Sequence, residues 1–352
     1  MVNKTTVYVV GAGASFEMGL PVGETLKQKI SDLLAARSGD TYQQHKVSDD
    51  LINSALRRAN ELDDPALKIN KTILAAAHTS YALPLSLSID NYLHTHNGDK
   101  ATELCGKLAI VRAILMAEAK STLSTESELI LMQFKNCAKA WLVPFMQLLS
   151  EDCNLERLRE RLRSVVFIVF NYDRCIEHFL MNAIKAVYRV DANTAAEIVS
   201  EIEIYHPYGT VGRLPWNKRQ ADNAAAIQFG GIPQAEELLN LTKGIKTFTE
   251  GTDDDSSDII AIRRNMQEAD RIVFLGFAYH RLNMQLLLGD VPTSRMTKRA
   301  FGTAYGMSNS DTQLVNESLG HRLNAPSIAI KNELTCFNLF HEFSRTLNFV
   351  GA

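Results

Sequence analysis

The sequence predicts an α/β fold, in which helices cover both faces of a doubly wound parallel sheet. Short runs of β-branched and aromatic residues recur along the chain, the clearest at 7–10, 165–170 and 271–275. Each run ends in a glycine or polar turn, and a helical pattern of apolar residues follows it. This order is typical of parallel strands, because they need crossover connections that are usually helices.

The first strand, Val7–Val10, runs directly into a turn that contains Gly11, Ala12, Gly13 and Ser15. Glycine lets the backbone turn sharply and approach a ligand closely. A turn between a strand and a helix also presents backbone N–H groups to a phosphate. We therefore expect a nucleotide pyrophosphate over this turn.

The residues after the turn leave an alternative open. The dinucleotide fingerprint has a third glycine where this chain has Phe16, so a structural turn that binds nothing also fits the pattern. Pro21 suits the start of a helix, and apolar residues on one face continue that helix to about residue 34. Residues 37–44 are polar and are expected to form a loop.

Residues 50–150 show an almost entirely helical pattern and are predicted to form an inserted helical module. The expected helices cover 51–62, 71–77, 101–120 and 126–149. Within this block Asp90 suits a helix N-cap. His94 and His96 lie two residues apart, but no third metal ligand lies near them in the sequence, so no metal site is predicted.

Polar residues follow two further strands. The strand at 165–170 ends in Asn171, Tyr172 and Asp173, at the position where open α/β sheets bind ligands. Capping of the next helix would explain Asp173 but not Asn171. A strand at 201–205 leads into His206, which Pro207 and a nearby glycine place on a constrained turn.

The remaining pattern completes the fold prediction. The strand that begins at Arg271 ends in Gly276, a last strand is expected within 298–306, and helices are expected at 310–319 and 332–347. We therefore predict a Rossmann-like domain over 1–49 and 151–330 with a large helical insertion over 50–150. Residues 331–352 are predicted to form a C-terminal helix.

Composition excludes several classes of function. The net charge of −3 gives no electrostatic reason to expect direct binding of nucleic acid. The five cysteines are widely spaced and form no Cys-x-x-Cys pair, which argues against structural zinc and against a disulfide framework. No signal peptide and no membrane-spanning run is recognised, so we expect a cytoplasmic protein that does not associate with membranes.

Four motifs occur in an order that resembles a known family. They are Gly-Ala-Gly-Ala-Ser at 11–15, Phe-Asn-Tyr-Asp at 170–173, His-Pro-Tyr-Gly at 206–209, and Leu-Gly-Phe-Ala at 275–278 followed by Asn283. Together they resemble the zinc-less, sirtuin-like NADases of bacterial anti-phage defence. The segments 88–93 and 301–308 are also similar to that family, so the resemblance spans about residues 5–310.

The resemblance implies a catalytic role for three residues. Asn171 would position the nicotinamide ribose and a water, Asp173 would orient the site, and His206 would act as the base. Residues implied to bind NAD+ are Gly11, Ala12, Gly13, Ser15, Asp90, Tyr208, Gly276, Phe277 and Asn283. The chemistry of these side chains agrees with the implied roles, because the amide of Asn171 can hold a water and the imidazole of His206 can accept its proton.

The resemblance implies an NAD+ glycohydrolase that releases nicotinamide and ADP-ribose without a metal. Protein-deacylating sirtuins carry two Cys-x-x-Cys pairs, and this chain carries none, which favours NAD+ hydrolysis over deacylation. In the family the activity serves abortive infection and is held silent until infection. We therefore expect a homo-oligomer, or control by a partner such as a HerA-type ATPase, an Argonaute, a phage protein or another defence sensor.

Three alternatives stay open at this point. The chain could be a catalytically silent subunit that binds NAD+ or ADP-ribose, or an NAD-dependent protein deacylase. A dehydrogenase is disfavoured, because the acidic residue expected to bind the ribose should end a second strand. Asp32 has about the right spacing but lies within the predicted helix.

Overall fold

A six-stranded parallel sheet forms the centre of the molecule. The computed structural model describes residues 5–37, 46–61, 64–125, 131–217, 225–247, 256–289 and 297–349. The sheet strands are β1 (Thr6–Val10), β4 (Val165–Val169), β5 (Glu203–Tyr205), β6 (Arg271–Leu275), β7 (Arg299–Thr303) and β8 (Ser327–Lys331). Two short strands, β2 (Ala36–Arg37) and β3 (Lys46–Val47), pair antiparallel as a separate two-stranded sheet.

The strand order is β5-β4-β1-β6-β7-β8, and every neighbouring pair in this sheet is parallel. The chain thus winds outward from β1 first to one edge and then to the other. This is the doubly wound, Rossmann-like order, and the predicted fold class is confirmed. The order reverses between β1 and β6, which is where such folds have a crevice for ligands.

Helices cover both faces of the sheet. They are α1 (Ala12–Phe16), α2 (Gly23–Leu34), α3 (Asp50–Asn60), α4 (Ile69–Ala82), α5 (Ile89–Thr95), α6 (Lys100–Lys120), α7 (Leu142–Ser150), α8 (Leu155–Leu162), α9 (Cys175–Tyr188), α10 (Ala192–Ser200), α11 (Ala235–Thr242), α12 (Ser257–Glu268), α13 (Arg281–Leu288), α14 (Asn309–Leu323), α15 (Cys336–Glu342) and α16 (Ser344–Leu347). None of those helices, all taken from the described ranges, combines the length and the apolar character needed to span a membrane.

Two hydrophobic clusters lie on opposite faces of β1. Val7 and Val9 pack in one cluster with residues of α3, α4 and α6, whereas Tyr8 and Val10 pack in the other with residues of α7, α8 and α9. Alternate side chains of a strand point to opposite faces, which explains this division. The helices of 50–150 therefore contribute to both faces of the sheet.

The C-terminal part of the chain differs from the prediction. The strand at 299–303 is not the last, because β8 follows it and forms the sheet edge. Residues 331–352 do not form one helix, since two short helices, α15 and α16, lie within them. Only Ile330 is buried in β8, so this edge strand lacks the continuous apolar run that identifies the central strands.

Two helix predictions within 50–150 are also wrong in extent. The helix expected at 126–149 begins only at Leu142, so that Pro144 lies in its first turn, where proline is tolerated. Residues 126–130 lie outside the described residues. The helix expected at 71–77 is twice as long and covers Ile69–Ala82.

Candidate functional site

The turn after β1 packs directly against the end of β6. The Gly11 N–H donates to the Leu275 carbonyl at 2.9 Å, and the Gly13 N–H donates to the Gly276 carbonyl at 3.0 Å. A Cβ on Gly11 would lie 2.5 Å from the Gly276 oxygen, and a Cβ on Gly276, whose φ is +56°, would lie 2.0 Å from the Ala14 nitrogen. Close packing of two backbones therefore requires these glycines.

This packing corrects one expectation from the sequence. The N–H groups of Gly11 and Gly13 were expected to be free for a phosphate, but both donate to carbonyls of the protein. Ala12 is the first residue of α1, a helix with no side-chain cap at its N-terminus. The role of this turn in binding NAD+ stays a prediction.

Asn171 connects the end of β4 to the same turn. Its Nδ2 donates to the Gly11 carbonyl at 3.0 Å and to the Ser15 Oγ at 2.8 Å. Asp173 accepts the Cys175 N–H at 3.1 Å at the start of α9, but the N-cap residue of that helix is Arg174. Burial raises the pKa of Asp173, while hydrogen bonds from Ser15 and Cys175 oppose this. Asn171 and Asp173 of the Phe-Asn-Tyr-Asp motif thus both form hydrogen bonds with Ser15.

His206 follows β5, the strand beside β4, and its ring lies next to Asn171. Its Nδ1 is 3.3 Å from the Asn171 carbonyl oxygen, and its Nε2 is 3.0 Å from the Glu177 Oε1. Burial alone would lower the pKa of His206, but the Glu177 charge and hydrogen bond outweigh it and the pKa is raised. Conversely, burial would raise the pKa of Glu177, and His206 lowers it.

Sequence reasoning missed Glu177. It lies in the first turn of α9, and its side chain and that of His206 are 5% and 6% exposed. The only sequence signal is an acidic residue one turn after Asp173 in a helix with an otherwise apolar face. That signal is weak, because acidic residues are common in the first turn of helices, where their negative charge interacts favourably with the helix dipole.

Asp90 is not the helix cap that the sequence suggested. Ser88 is the N-cap of α5, and its Oγ accepts the Asn91 N–H at 3.1 Å. Asp90 lies in the first turn instead and accepts a hydrogen bond from the Tyr172 hydroxyl. Burial raises the pKa of Asp90, and the Tyr172 hydrogen bond opposes the shift. The structure thus brings Asp90 from the helical block to the end of β4.

Aromatic residues from three strand ends meet beside Asp90. The Phe170 ring centroid lies 5.8 Å from that of Tyr208 and 5.1 Å from that of Phe277. The Tyr208 hydroxyl donates to the Asn283 Oδ1 at 2.6 Å. Burial, and to a smaller extent the Asp90 carboxylate, raises the pKa of Tyr208. These sequence-predicted residues therefore form one cluster at the carboxyl edge of the sheet.

A cleft of about 950 Å³ opens on the β5 side of this cluster. His206 and Glu177 both line it, together with residues of β5 and α11. The residues of the Gly11–Ser15 turn are not among its lining residues. His206 therefore lies between the cleft on one side and the Asn171 end of β4 on the other.

A second ion pair missed by sequence reasoning lies just behind the motif. The Arg174 Nε donates to the Glu118 Oε1 at 3.1 Å, and the Gly230 N–H donates to the Glu118 Oε2 at 2.9 Å. Arg174 also donates to the carbonyls of Ile227 at 2.7 Å and Gln228 at 3.2 Å. Glu118 is completely buried. This network ties α6 and a loop to the start of α9.

The arrangement supplies an amide, an imidazole and a carboxylate beside a glycine turn, which suits cleavage of a nucleotide by positioned water. Among the described residues, no group of three or more His, Cys, Asp or Glu side chains is placed to hold a metal ion.

No protein-family model matches the chain, and no curated protein matches it.

Proposed function

We propose that the protein is an NAD+ glycohydrolase, which cleaves NAD+ to nicotinamide and ADP-ribose. The observation that supports this most is the meeting of two strand ends: Asn171, after β4, contacts both the turn after β1 and the ring of His206, which follows β5. This meeting lies beside the point where the strand order reverses, the usual ligand site of such sheets. The similarity of these motifs to sirtuin-like NADases agrees with it.

The proposed reaction needs little covalent chemistry from the protein. The bond between ribose C1′ and the nicotinamide nitrogen breaks, and its electron pair leaves with nicotinamide, which is already cationic in NAD+. The ribose then has oxocarbenium character, as in other glycosidic cleavages. A water oxygen bonds to C1′ and its proton passes to His206, while Asn171 orients the water.

Other residues of the cluster suit the rest of the dinucleotide. The buried rings of Phe170, Tyr208 and Phe277 pack against one another and support the strand ends from below. The Asp90 carboxylate suits hydrogen bonds to ribose hydroxyls. Gly276 and Asn283, which follow β6, are the remaining residues that we propose to bind NAD+.

A second candidate function is a silent subunit that binds NAD+ or ADP-ribose. One observation favours it: both amide hydrogens of Asn171 and both ring nitrogens of His206 already face protein partners. In an enzyme the same arrangement would describe a resting state. Such a state suits an activity that is harmful unless controlled.

Control by a partner chain or by self-assembly is part of the proposal. The side chains of Tyr81, in the last turn of α4, and of Leu85 and Leu87, between α4 and α5, are all strongly exposed. Large apolar side chains grouped on a surface are typical of interaction sites. We propose that a homo-oligomer contact or a partner such as a HerA-type ATPase uses the helical block, in anti-phage defence.

The test is incubation of the purified protein with NAD+ and chromatography for nicotinamide. The enzyme releases nicotinamide, alone or with candidate partners, and Asn171→Ala lowers the rate by about 100-fold or more, as for loss of an orienting donor. Asn182→Ala is the control and keeps the rate, because the half-buried Asn182 side chain donates to the His178 carbonyl within α9 and contacts neither Asn171 nor His206 in the part of the chain that the structure describes. Binding of NAD+ without release in every condition would favour the silent subunit.

A further inference from the structure

His206 has an acceptor on each ring nitrogen. The Glu177 Oε1 lies 3.0 Å from Nε2, and the Asn171 carbonyl oxygen lies 3.3 Å from Nδ1. A neutral imidazole carries one N–H and can donate to only one of them. The carboxylate is the closer and the charged acceptor, and hydrogen bonds to charged groups are the stronger ones. The N–H of the neutral ring therefore belongs on Nε2.

This tautomer leaves the lone pair on Nδ1. That nitrogen lies 3.3 Å from the backbone carbonyl oxygen of Asn171, at the strand end whose side-chain amide is expected to hold the attacking water, whereas Nε2 faces Glu177 of α9. A base must present its lone pair to the proton it accepts. A carboxylate that holds one N–H of a histidine sets the ring's orientation and leaves the other nitrogen basic.

Glu177 is itself in an unusual position. Its second oxygen, Oε2, is buried and has no hydrogen-bond partner in the part of the chain that the structure describes. Glu177 also lines the cleft of about 950 Å³. A buried carboxylate oxygen without a partner is destabilising, so it calls for an explanation in function.

We propose that Glu177 is the positioning residue for His206, which it holds in the Nε2–H tautomer with Nδ1 directed at the Asn171 strand end. This inference rests on the proposed function and adds to it a residue outside the four motifs. Glu177 also stabilises the imidazolium that forms when His206 accepts a proton. Asp173 is the other carboxylate whose charge acts on His206, and the Arg174 charge acts on Glu177.

The first experiment measures the ring directly. NMR of protein with ¹⁵N-labelled histidine gives the tautomer and the pKa of His206, and comparison with His206→Asn assigns its signals among the nine histidines. In the wild type we expect the Nε2–H tautomer and a pKa above the ordinary value. Glu177→Gln lowers the pKa, because it removes the negative charge.

The matched control is Glu201→Gln, since Glu201 precedes β5 but pairs with Arg159 instead of His206. This control leaves the His206 pKa at the wild-type position. Glu177→Asp keeps the charge and is expected to keep the pKa raised, which separates a charge effect from general damage to the fold. Equal His206 pKa values in wild type and Glu177→Gln would overturn the proposal.

The second experiment measures turnover. Glu177→Gln lowers kcat for nicotinamide release by about 10- to 100-fold, the usual range for loss of an orienting partner. The KM for NAD+ is expected to stay within about two-fold, because a positioning residue acts through His206 and not by binding the substrate. Glu177→Asp recovers part of the loss. An unchanged kcat in Glu177→Gln would overturn the positioning role.

The two proposals can fail separately. If the wild type released no nicotinamide in any condition, the proposed enzyme activity would fall, and with it the catalytic part of this inference. The NMR titration would still decide whether Glu177 sets the tautomer and charge of His206. If the wild type released nicotinamide and the His206 pKa were the same in wild type and Glu177→Gln, the proposed activity would be supported. The positioning role of Glu177 would then be rejected.

Discussion

Two buried ion pairs lie at the start of α9, and they are built differently. In the pair of Arg174 and Glu118 the guanidinium reaches several carbonyls besides the carboxylate, and both carboxylate oxygens accept hydrogen bonds. In the pair of His206 and Glu177 one carboxylate oxygen has no partner within the described residues, and the pair lines a cleft.

The difference separates architecture from chemistry. Arg174 is permanently charged, so it does not exchange protons near neutral pH. Its hydrogen bonds to Glu118 and to backbone carbonyls hold three chain segments together. A histidine in contact with a carboxylate changes its charge near neutral pH. We infer that the first pair stabilises the fold and the second serves the reaction. The predictions below test this contrast, from the largest expected effect to the smallest.

The largest effect is expected for Glu118→Ala. It leaves the Arg174 charge buried without its carboxylate, and breaking a buried pair in this way costs about 3–5 kcal/mol of unfolding free energy. Urea unfolding followed by circular dichroism measures this value. The control on the same helix is Glu103→Ala, which breaks a partly exposed pair with Lys107 and costs about 1 kcal/mol or less.

His206→Asn is expected to destabilise the protein less than Glu118→Ala does. The loss leaves Glu177 without its partner, and an unsatisfied buried group costs about 1–3 kcal/mol. The shorter Asn side chain leaves space beside the cleft in which water can solvate Glu177, and this limits the cost. The same urea experiment compares the two variants, and a larger loss for His206→Asn would contradict the assigned roles.

The stability difference between wild type and His206→Asn should depend on pH. The pKa of His206 is raised in the folded protein, so its contribution is present below the unfolded value of about 6.5 and is lost as pH rises through the folded value. The pKa of Glu177 is lowered, so its contribution is present above about 4.5 and is lost as pH falls through the folded value.

The pair of His206 and Glu177 therefore contributes most to the free energy of unfolding between about pH 4.5 and 6.5, where both residues are charged. Unfolding free energies near pH 5.5 and 8.5 should show a larger difference between wild type and His206→Asn at the lower pH. A difference of the same size at both pH values would mean that His206 does not gain charge from Glu177.

The smallest effect is expected for Tyr208→Phe. It removes the hydrogen bond to Asn283, a neutral contact, which costs about 1 kcal/mol. Tyr305→Phe is the control, because the Tyr305 side chain is exposed. A loss as large as that of His206→Asn would show that charge is not what distinguishes the His206 pair.

The sequence predicted the central strands and the edge strand β5, but not β8 at the opposite edge of the sheet. β1, β4 and β6 are buried on both faces, so their apolar runs are nearly continuous and easy to recognise. The edge strand β8 buries one residue and has only three apolar residues, with a polar residue at each end, which is too short a run to identify a strand. Helix ends were missed where a proline, such as Pro144, was placed inside a helix instead of in its first turn.

Within the site, residues adjacent to strand ends could be predicted, and their partners could not. Asn171 and His206 follow strands, and parallel strands bring such residues to one edge of the sheet. Glu177 and Glu118 lie within helices and acquire their roles from partners 29 and 56 positions away. Nothing local in the sequence distinguishes these carboxylates from solvent-exposed ones on a helix.

The most direct test of the central claim is the rate of nicotinamide release by His206→Asn, measured beside the wild type at a temperature where unfolding experiments show both folded. We predict a rate lower by about 100-fold or more, the usual contribution of a positioned base. Release by the folded variant at the wild-type rate would contradict the claim that this imidazole performs the reaction.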